Sequence, residues 1–219
     1  QALGQMPIDV TSLDASFVAG TSHKWLMAGH GTGWMYIRKD WLESARLPMG
    51  GWLSVKPEEL FQTWASSQRQ CDAAGFSARG LTTRRDADAL EVGGASWVGL
   101  HGFDAALTMH DSLDVSETQK HILSLQMYLR SKLRSLGFQP NSPDDVASMS
   151  GICVVPVAGD ALEVVRALIH KARIVTTPRG GGVRISTHGF NTTDDIDALI
   201  QAFGELSIRP ADAANLRQI

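Results

Sequence analysis

Residues 15–38 read ASFVAGTSHKWLMAGHGTGWMYIR, and this stretch decides how the chain is organised. Residues 15–20 form a short, mostly apolar run ending at glycine, which predicts a buried strand. Residues 34–38 predict a second strand, entered through the glycine-rich turn Gly29-His30-Gly31-Thr32-Gly33. That turn precedes a strand rather than opening a helix, so it reads as a turn and not as a phosphate loop. Between the strands lies the densest chemical cluster, Thr21-Ser22-His23-Lys24-Trp25. A lysine at a strand end, beside a histidine and hydroxyls, suits an imine-forming amine, a chemistry that requires the neutral amine. Thr21 and His23 are candidates to hold an anion such as a phosphate. By pattern alone, the same residues read more readily as an ordinary surface lysine beside a partly exposed histidine.

Outward from this stretch the chain alternates helices and strands. Residues 50–90 mix Gly, Trp, Ser, Gln and Arg without steady periodicity and predict a long irregular segment. From Trp97 to Met109, the spacing of Val98, Leu100, Phe103, Ala106 and Leu107 predicts a helix. A second helix is predicted over 116–136, with Ile122, Leu125, Leu129, Leu133 and Leu136 on one face, Ser116 as its N-cap and Gly137 after its end. Residues 139–148, rich in Pro and Asp, predict a loop. Then follow a strand (151–157), a helix (160–171), a strand (173–177), a turn at Gly180-Gly181-Gly182 and a strand (183–187). Thr192 or Thr193 caps a last helix, with Asp194 and Asp195 in its first turn. This last third predicts an α/β subdomain with a small sheet.

The chain has 219 residues, of which 43% are hydrophobic and 20% charged, as in globular proteins that bury a core. A net charge of -3 provides no general attraction to nucleic acid or to an anionic membrane. No apolar run reaches the roughly 18 residues of a membrane-spanning helix. The histidines are scattered and no metal is expected. The six tryptophans have no accompanying basic stripe, so packing is preferred over nucleic-acid stacking. Cys71 and Cys153 lie far apart, which favours a reducing, cytoplasmic setting over a disulfide framework. Cys153 sits in an apolar strand and reads as a small buried hydrophobe. The start at Gln1-Ala2-Leu3-Gly4 suggests a partial polypeptide.

Two motifs together resemble the class-V aminotransferase family of fold-type I pyridoxal-phosphate (PLP) enzymes. The first runs from Gln1-x-x-Gly4 through Ile8-Asp9, a strand, Thr21-Ser22-His23-Lys24 and Gly29-x-Gly31-x-Gly33 to a strand ending in Arg38. The second is Val183-Arg184-Ile185-Ser186-Thr187-His188-Gly189-Phe190-Asn191-Thr192, followed by acidic residues and a helix. The resemblance covers nearly the whole chain and matches the C-terminal half of such an enzyme. It implies an α/β fold: residues 1–110 as part of the PLP-binding large domain and its sheet, and residues 111–219 as a linker helix with a small C-terminal α/β domain. It implies that Lys24 is the Schiff-base lysine, that His23 and Thr21 bind the cofactor phosphate, and that Gln1 meets the cofactor's phenolic oxygen. It also implies that Arg184 grips the α-carboxylate of an amino-acid substrate, and that the protein is a homodimer.

Departures from the family pattern qualify these expectations. The aspartate that partners the cofactor's ring nitrogen would lie three residues before Gln1. Where many relatives have a Gly-Thr pair that reaches the neighbouring subunit's phosphate, this chain has Gly93-Gly94, so a hydroxyl is lost and only the Gly94 amide is available. The loop from Thr176 to Gly182 holds no cysteine, which disfavours a desulfurase. The wording Arg179-Gly180-Gly181-Gly182-Val183-Arg184 is more similar to the isopenicillin-N-epimerase-like and kynureninase-like branch. Transfer, elimination and epimerisation all stay open. Two functions are carried forward: a PLP-dependent enzyme acting on an amino acid through Lys24, and a non-catalytic, partner-dependent remnant of one.

Overall fold

The computed structural model describes residues 1–44, 50–56 and 84–212. Two compact units emerge: the first comprises Gln1–Leu3 and Ile8–His110, the second Gly4–Pro7 and the chain from Asp111 onward.

In the first unit, a turn over residues 9–14 is organised by Asp9. Its carboxylate accepts the Thr11 amide at 2.9 Å, and its carbonyl accepts the Leu13 amide at 3.1 Å. Hydrogen bonds from Ser12 and then Thr11 hold this carboxyl below the usual carboxylate range. Strand β1 (Phe17–Thr21) runs antiparallel to β2 (Gly33–Ile37), with Phe17 opposite Ile37 and Thr21 opposite Gly33. β1 starts two residues later than its sequence suggested and is not buried; its residues alternate between exposed and half-buried. Gly20 faces Trp34 so closely that a Cβ would fall 2.7 Å from the indole nitrogen, which leaves room for glycine alone. After β2, Arg38 pairs with Asp40 at 2.7 Å and Asp14 at 3.1 Å, tying the 9–14 turn to the start of helix α1 (Lys39–Ser44).

The irregular segment expected at 50–90 is described only at its ends, as 3-10 turns at Trp52–Ser54 and Ala87–Leu90. Cys71 lies outside the described residues. The Arg84 amide donates to the Ser54 carbonyl at 2.9 Å, while its guanidinium pairs with Asp86 and Asp88. Helix α2 (Trp97–Asp111) has the predicted helical spacing, but its apolar stripe is not a core face. Only Ala106 is buried; Trp97 is 72% exposed and Val98 87%. Periodicity specifies the stripe, whereas burial needs an opposing surface, and none covers it among the described residues.

The second unit is built on helix α3 (Val115–Ser135). Its N-cap is Asp114, two residues before the expected Ser116, and the Asp114 carboxylate accepts the Ser116 amide at 2.8 Å. Ile122, Leu125, Leu129 and Leu133 are buried at helical spacing, while Leu136 is the half-exposed C-cap. A three-stranded antiparallel sheet has the order β3 (Ile152–Pro156), β5 (Gly182–Ser186), β4 (Thr177–Arg179). Helix α4 (Ala161–Ala172) is capped by Asp160 and ends at Arg173, which adopts a left-handed φ of 60°. The Ile174 amide then bonds back to Leu168 at 3.1 Å. Arg173 and Ile174, expected in a strand, terminate that helix, and β4 begins only at Thr177. Gly180 and Gly181, at φ 51° and 67°, form the two-residue turn between β4 and β5, a geometry that side chains resist. Helix α5 (Thr193–Glu205) closes the unit. Cys153, Val155, Val183 and Ile185 face a core shared with Leu129, Leu168 and Phe203. Alternation along β5 therefore turns Arg184 to the opposite face, between Val154 and Thr177.

Candidate functional site

In the first unit, the connection from β1 to β2 closes on Ser22, which is fully buried. Its amide donates to the Thr32 carbonyl at 3.3 Å and its carbonyl accepts the Ala28 amide at 3.0 Å. Its hydroxyl donates to the Thr32 carbonyl at 2.8 Å, and the Thr32 hydroxyl reaches the Gly29 carbonyl at 3.2 Å. Residues 22–32 are thereby tied at their base. Gly99 of α2 backs onto Thr32, where an added Cβ would meet the threonine methyl at 2.5 Å. Trp25 and Leu26 are buried and anchor the loop inward, each contributing roughly 2 kcal/mol of apolar burial. Within the loop, the Met27 amide donates to the Lys24 carbonyl at 2.9 Å.

Lys24 is exposed, although imine chemistry calls for a neutral amine and hence for burial or a neighbouring positive charge. The two residues that follow it take the buried positions and leave the lysine at the outer surface. Its Nζ donates to Oε1 of Gln1 at 3.0 Å, so two predicted site residues meet across 23 positions of sequence. His23 is half-buried, and its ring stacks on His30 with centroids 4.4 Å apart and planes inclined by 24°. Thr21 ends β1, exposed and opposite Gly33. Gly94 is exposed, with nothing within 4 Å of where a Cβ would stand.

Arg184 belongs to the second unit, half-buried on the central strand. Its Nε is enclosed without a hydrogen-bond partner among the described residues. An enclosed donor of this kind costs free energy until an acceptor reaches it, and a carboxylate or phosphate would satisfy it. The strand is fixed just beyond Arg184 by a buried polar cluster. Gln126 donates to the Gly151 carbonyl and to the Thr187 hydroxyl, both at 3.0 Å, and the Thr187 amide also donates to Gly151 at 2.8 Å. Gln5 accepts the Gly151 amide at 3.1 Å. The chain then turns at His188, whose amide donates to Asn191 at 2.9 Å and whose ring stacks on Phe190.

Sequence reading placed Ser22 in the chemical cluster and His30 and Thr32 in the glycine-rich turn without a role of their own, and missed Gln126 and Gln5. Ser22 and Thr32 are small hydroxyls whose partners are set by the return of β2, which local pattern does not reveal. Gln126 lies on the apolar face of α3 and was detectable only as an odd polar residue there. Cys153, by contrast, is wholly buried as expected, and burial pushes its thiol up to about 11, far from a reactive thiolate. A surface pocket of about 290 Å³ lined by Met127, Arg130, Ser131, Arg134, Asp144 and Met149 holds none of the predicted site residues. Among the described residues no group of three His, Cys, Asp or Glu side chains is arranged to hold a metal, and no helix is long and apolar enough to cross a membrane.

The lysine lies on the loop of a two-stranded antiparallel sheet and the arginine on a three-stranded antiparallel sheet, within a fold of mixed helices and strands. Residues 1–199 match the aminotransferase class-V family model, and the chain belongs to that family. It is 25% identical over 215 residues to isopenicillin N epimerase of Amycolatopsis lactamdurans, covering 94% of this chain and 51% of that protein. Its fold is similar to that of a cysteine desulfurase of Thermococcus onnurineus (TM-score 0.78, 20% identity), over 94% of this chain and 50% of the other. It is also similar to a C-DES variant solved with glycine covalently linked to its PLP cofactor (TM-score 0.74, 21% identity), over 92% of this chain and 49% of the other. The chain thus spans about half the length of the relatives it matches.

Proposed function

We propose that this chain carries the covalent cofactor position and the substrate-carboxylate position of a PLP-dependent enzyme acting on an amino acid. The observation that bears this reading is the meeting of Lys24 Nζ with Gln1 Oε1 at 3.0 Å, on a loop tied at its base by Ser22. The residues present fit the group. Lys24 offers an accessible primary amine, Thr21 and His23 offer hydroxyl and imidazole donors beside it, and Arg184 offers an enclosed nitrogen awaiting an acceptor. When bound, PLP supplies an electron sink for charge developing at the amino acid's α-carbon. Lys24 Nζ is the attachment amine, and Gln1, whose Oε1 accepts a hydrogen bond from it, stands beside it to meet the cofactor's phenolic oxygen. His23 and Thr21 bind the phosphate, and the Arg184 guanidinium orients the substrate through its α-carboxylate. Gly94 contributes a backbone N–H where relatives have a hydroxyl.

Residues 1–110 are assigned to the cofactor-binding domain and 111–219 to the linker helix and small domain. The protein is proposed to act as a homodimer in the cytoplasm. The relatives include both an epimerase and a desulfurase, and the loop from Thr176 to Gly182, which holds no cysteine, favours the epimerase-like side. A second reading, a partner-dependent remnant without activity of its own, draws on the missing hydroxyl at Gly94 and on the exposed Trp97 and Val98.

The test is a PLP titration of the full-length protein followed by absorption of the lysine-bound cofactor. Lys24→Ala is expected to abolish that absorption. Arg184→Ala is expected to keep it while weakening amino-acid binding about 10- to 100-fold, the value of a charge-assisted contact. An unchanged band in Lys24→Ala would remove the proposal.

A further inference from the structure

We infer that His30 is a positioning residue for phosphate recognition, acting through His23; this rests on the PLP reading above. His23 sits immediately before the candidate attachment lysine, and its ring has freedom about two side-chain torsions. Stacking on the His30 ring, at 4.4 Å and 24°, restricts that freedom and fixes the plane in which the His23 nitrogens point. His30 is exposed. Its place is nevertheless set by the backbone, because it lies between two anchored residues of the glycine-rich turn. The Gly29 carbonyl accepts the Thr32 hydroxyl at 3.2 Å, and the Thr32 carbonyl accepts the buried Ser22 hydroxyl at 2.8 Å. The path therefore runs from Ser22 in the interior, through Thr32 and the turn, to His30, and from His30 by ring contact to His23. Gly99 backing onto Thr32 makes α2 the outer wall of the same path.

Such a device acts on the phosphate and not on the aldehyde, because His23 is the group it orients while Lys24 keeps its own partner, Gln1. It also requires a flat ring at position 30, not an imidazole as such. These two properties separate it from a general role in holding the loop.

The experiment compares binding of PLP and of pyridoxal, which lacks the phosphate, to the full-length protein and to H30A and H30F, with borohydride mapping of the wild-type adduct as the reference. H30A is expected to weaken PLP about 3- to 10-fold, the value of one aromatic contact, and to leave pyridoxal unchanged. H30F is expected to restore PLP binding to within about 2-fold of wild type, because a flat ring is returned. Equal weakening of both ligands, unchanged PLP binding by H30A, or failure of H30F to recover it would each overturn the inference while Lys24 labelling stays intact. Absence of any Lys24 adduct in the wild type would instead overturn the PLP reading and the inference with it.

Discussion

By short-window pattern alone Lys24 and His23 read as an ordinary surface lysine beside a histidine; they and Arg184 gained roles only because two family motifs stand in order along the chain. Their environments were not legible in the same way. Lys24 is exposed because Trp25 and Leu26 take the buried positions after it, and His23 is held by a ring seven residues away. Cys153 shows the opposite case, an apolar strand whose local pattern sufficed to predict its burial. With burial raising its thiol to about 11, Cys153 is expected to resist alkylation by iodoacetamide at pH 8 in the native protein and to react fully after denaturation. Peptide mapping of the alkylated protein checks this, and rapid native labelling at Cys153 would show that the strand opens readily.

Helices and strands of the second unit were legible from period and caps, and their errors have local causes. Arg173 terminates α4 in the left-handed region and so delays β4, and Asp114 displaces Ser116 as the cap of α3 because its carboxylate reaches two free amides. The stripe on α2 was legible as a helix, but its exposure was not, since periodicity does not say what lies opposite. At the start of α5, Asp195 accepts the Thr192 amide at 2.9 Å and the Asn191 side chain at 3.1 Å. The Thr192 amide first, and Asn191 next, hold its carboxyl below the usual range. A depressed carboxylate stabilises the fold above its unfolded pKa of about 4 and loses that contribution as pH falls through the lower folded value. Asp195→Ala is therefore expected to cost about 0.5–1 kcal/mol at pH 7, as helix caps do, with the difference from wild type vanishing in acid. Urea denaturation at the two pH values measures it; an equal deficit at both would assign the loss to something other than the charge.

On the scale of the molecule, the two units pack differently. The second has a continuous core from three helices and a sheet, whereas the first exposes Trp97, Val98 and much of β1. The family and its fold were legible because two motifs stand in order at either end of the chain. The exposure of the first unit was not, since periodicity within one segment does not tell what packs against it. An apolar patch of this kind is expected to be covered by association. Sedimentation velocity of the full-length protein is expected to show a dimer, and V98D is expected to shift it toward monomer; a monomer at every concentration would contradict the homodimer.

The most direct measurement of the central claim is reduction of the protein with borohydride in the presence of PLP, followed by mass mapping of the modified peptide. A single phosphopyridoxyl group on Lys24, lost in Lys24→Ala, is the predicted result. A folded protein that acquires no label there, or acquires it on other lysines alone, would contradict the account.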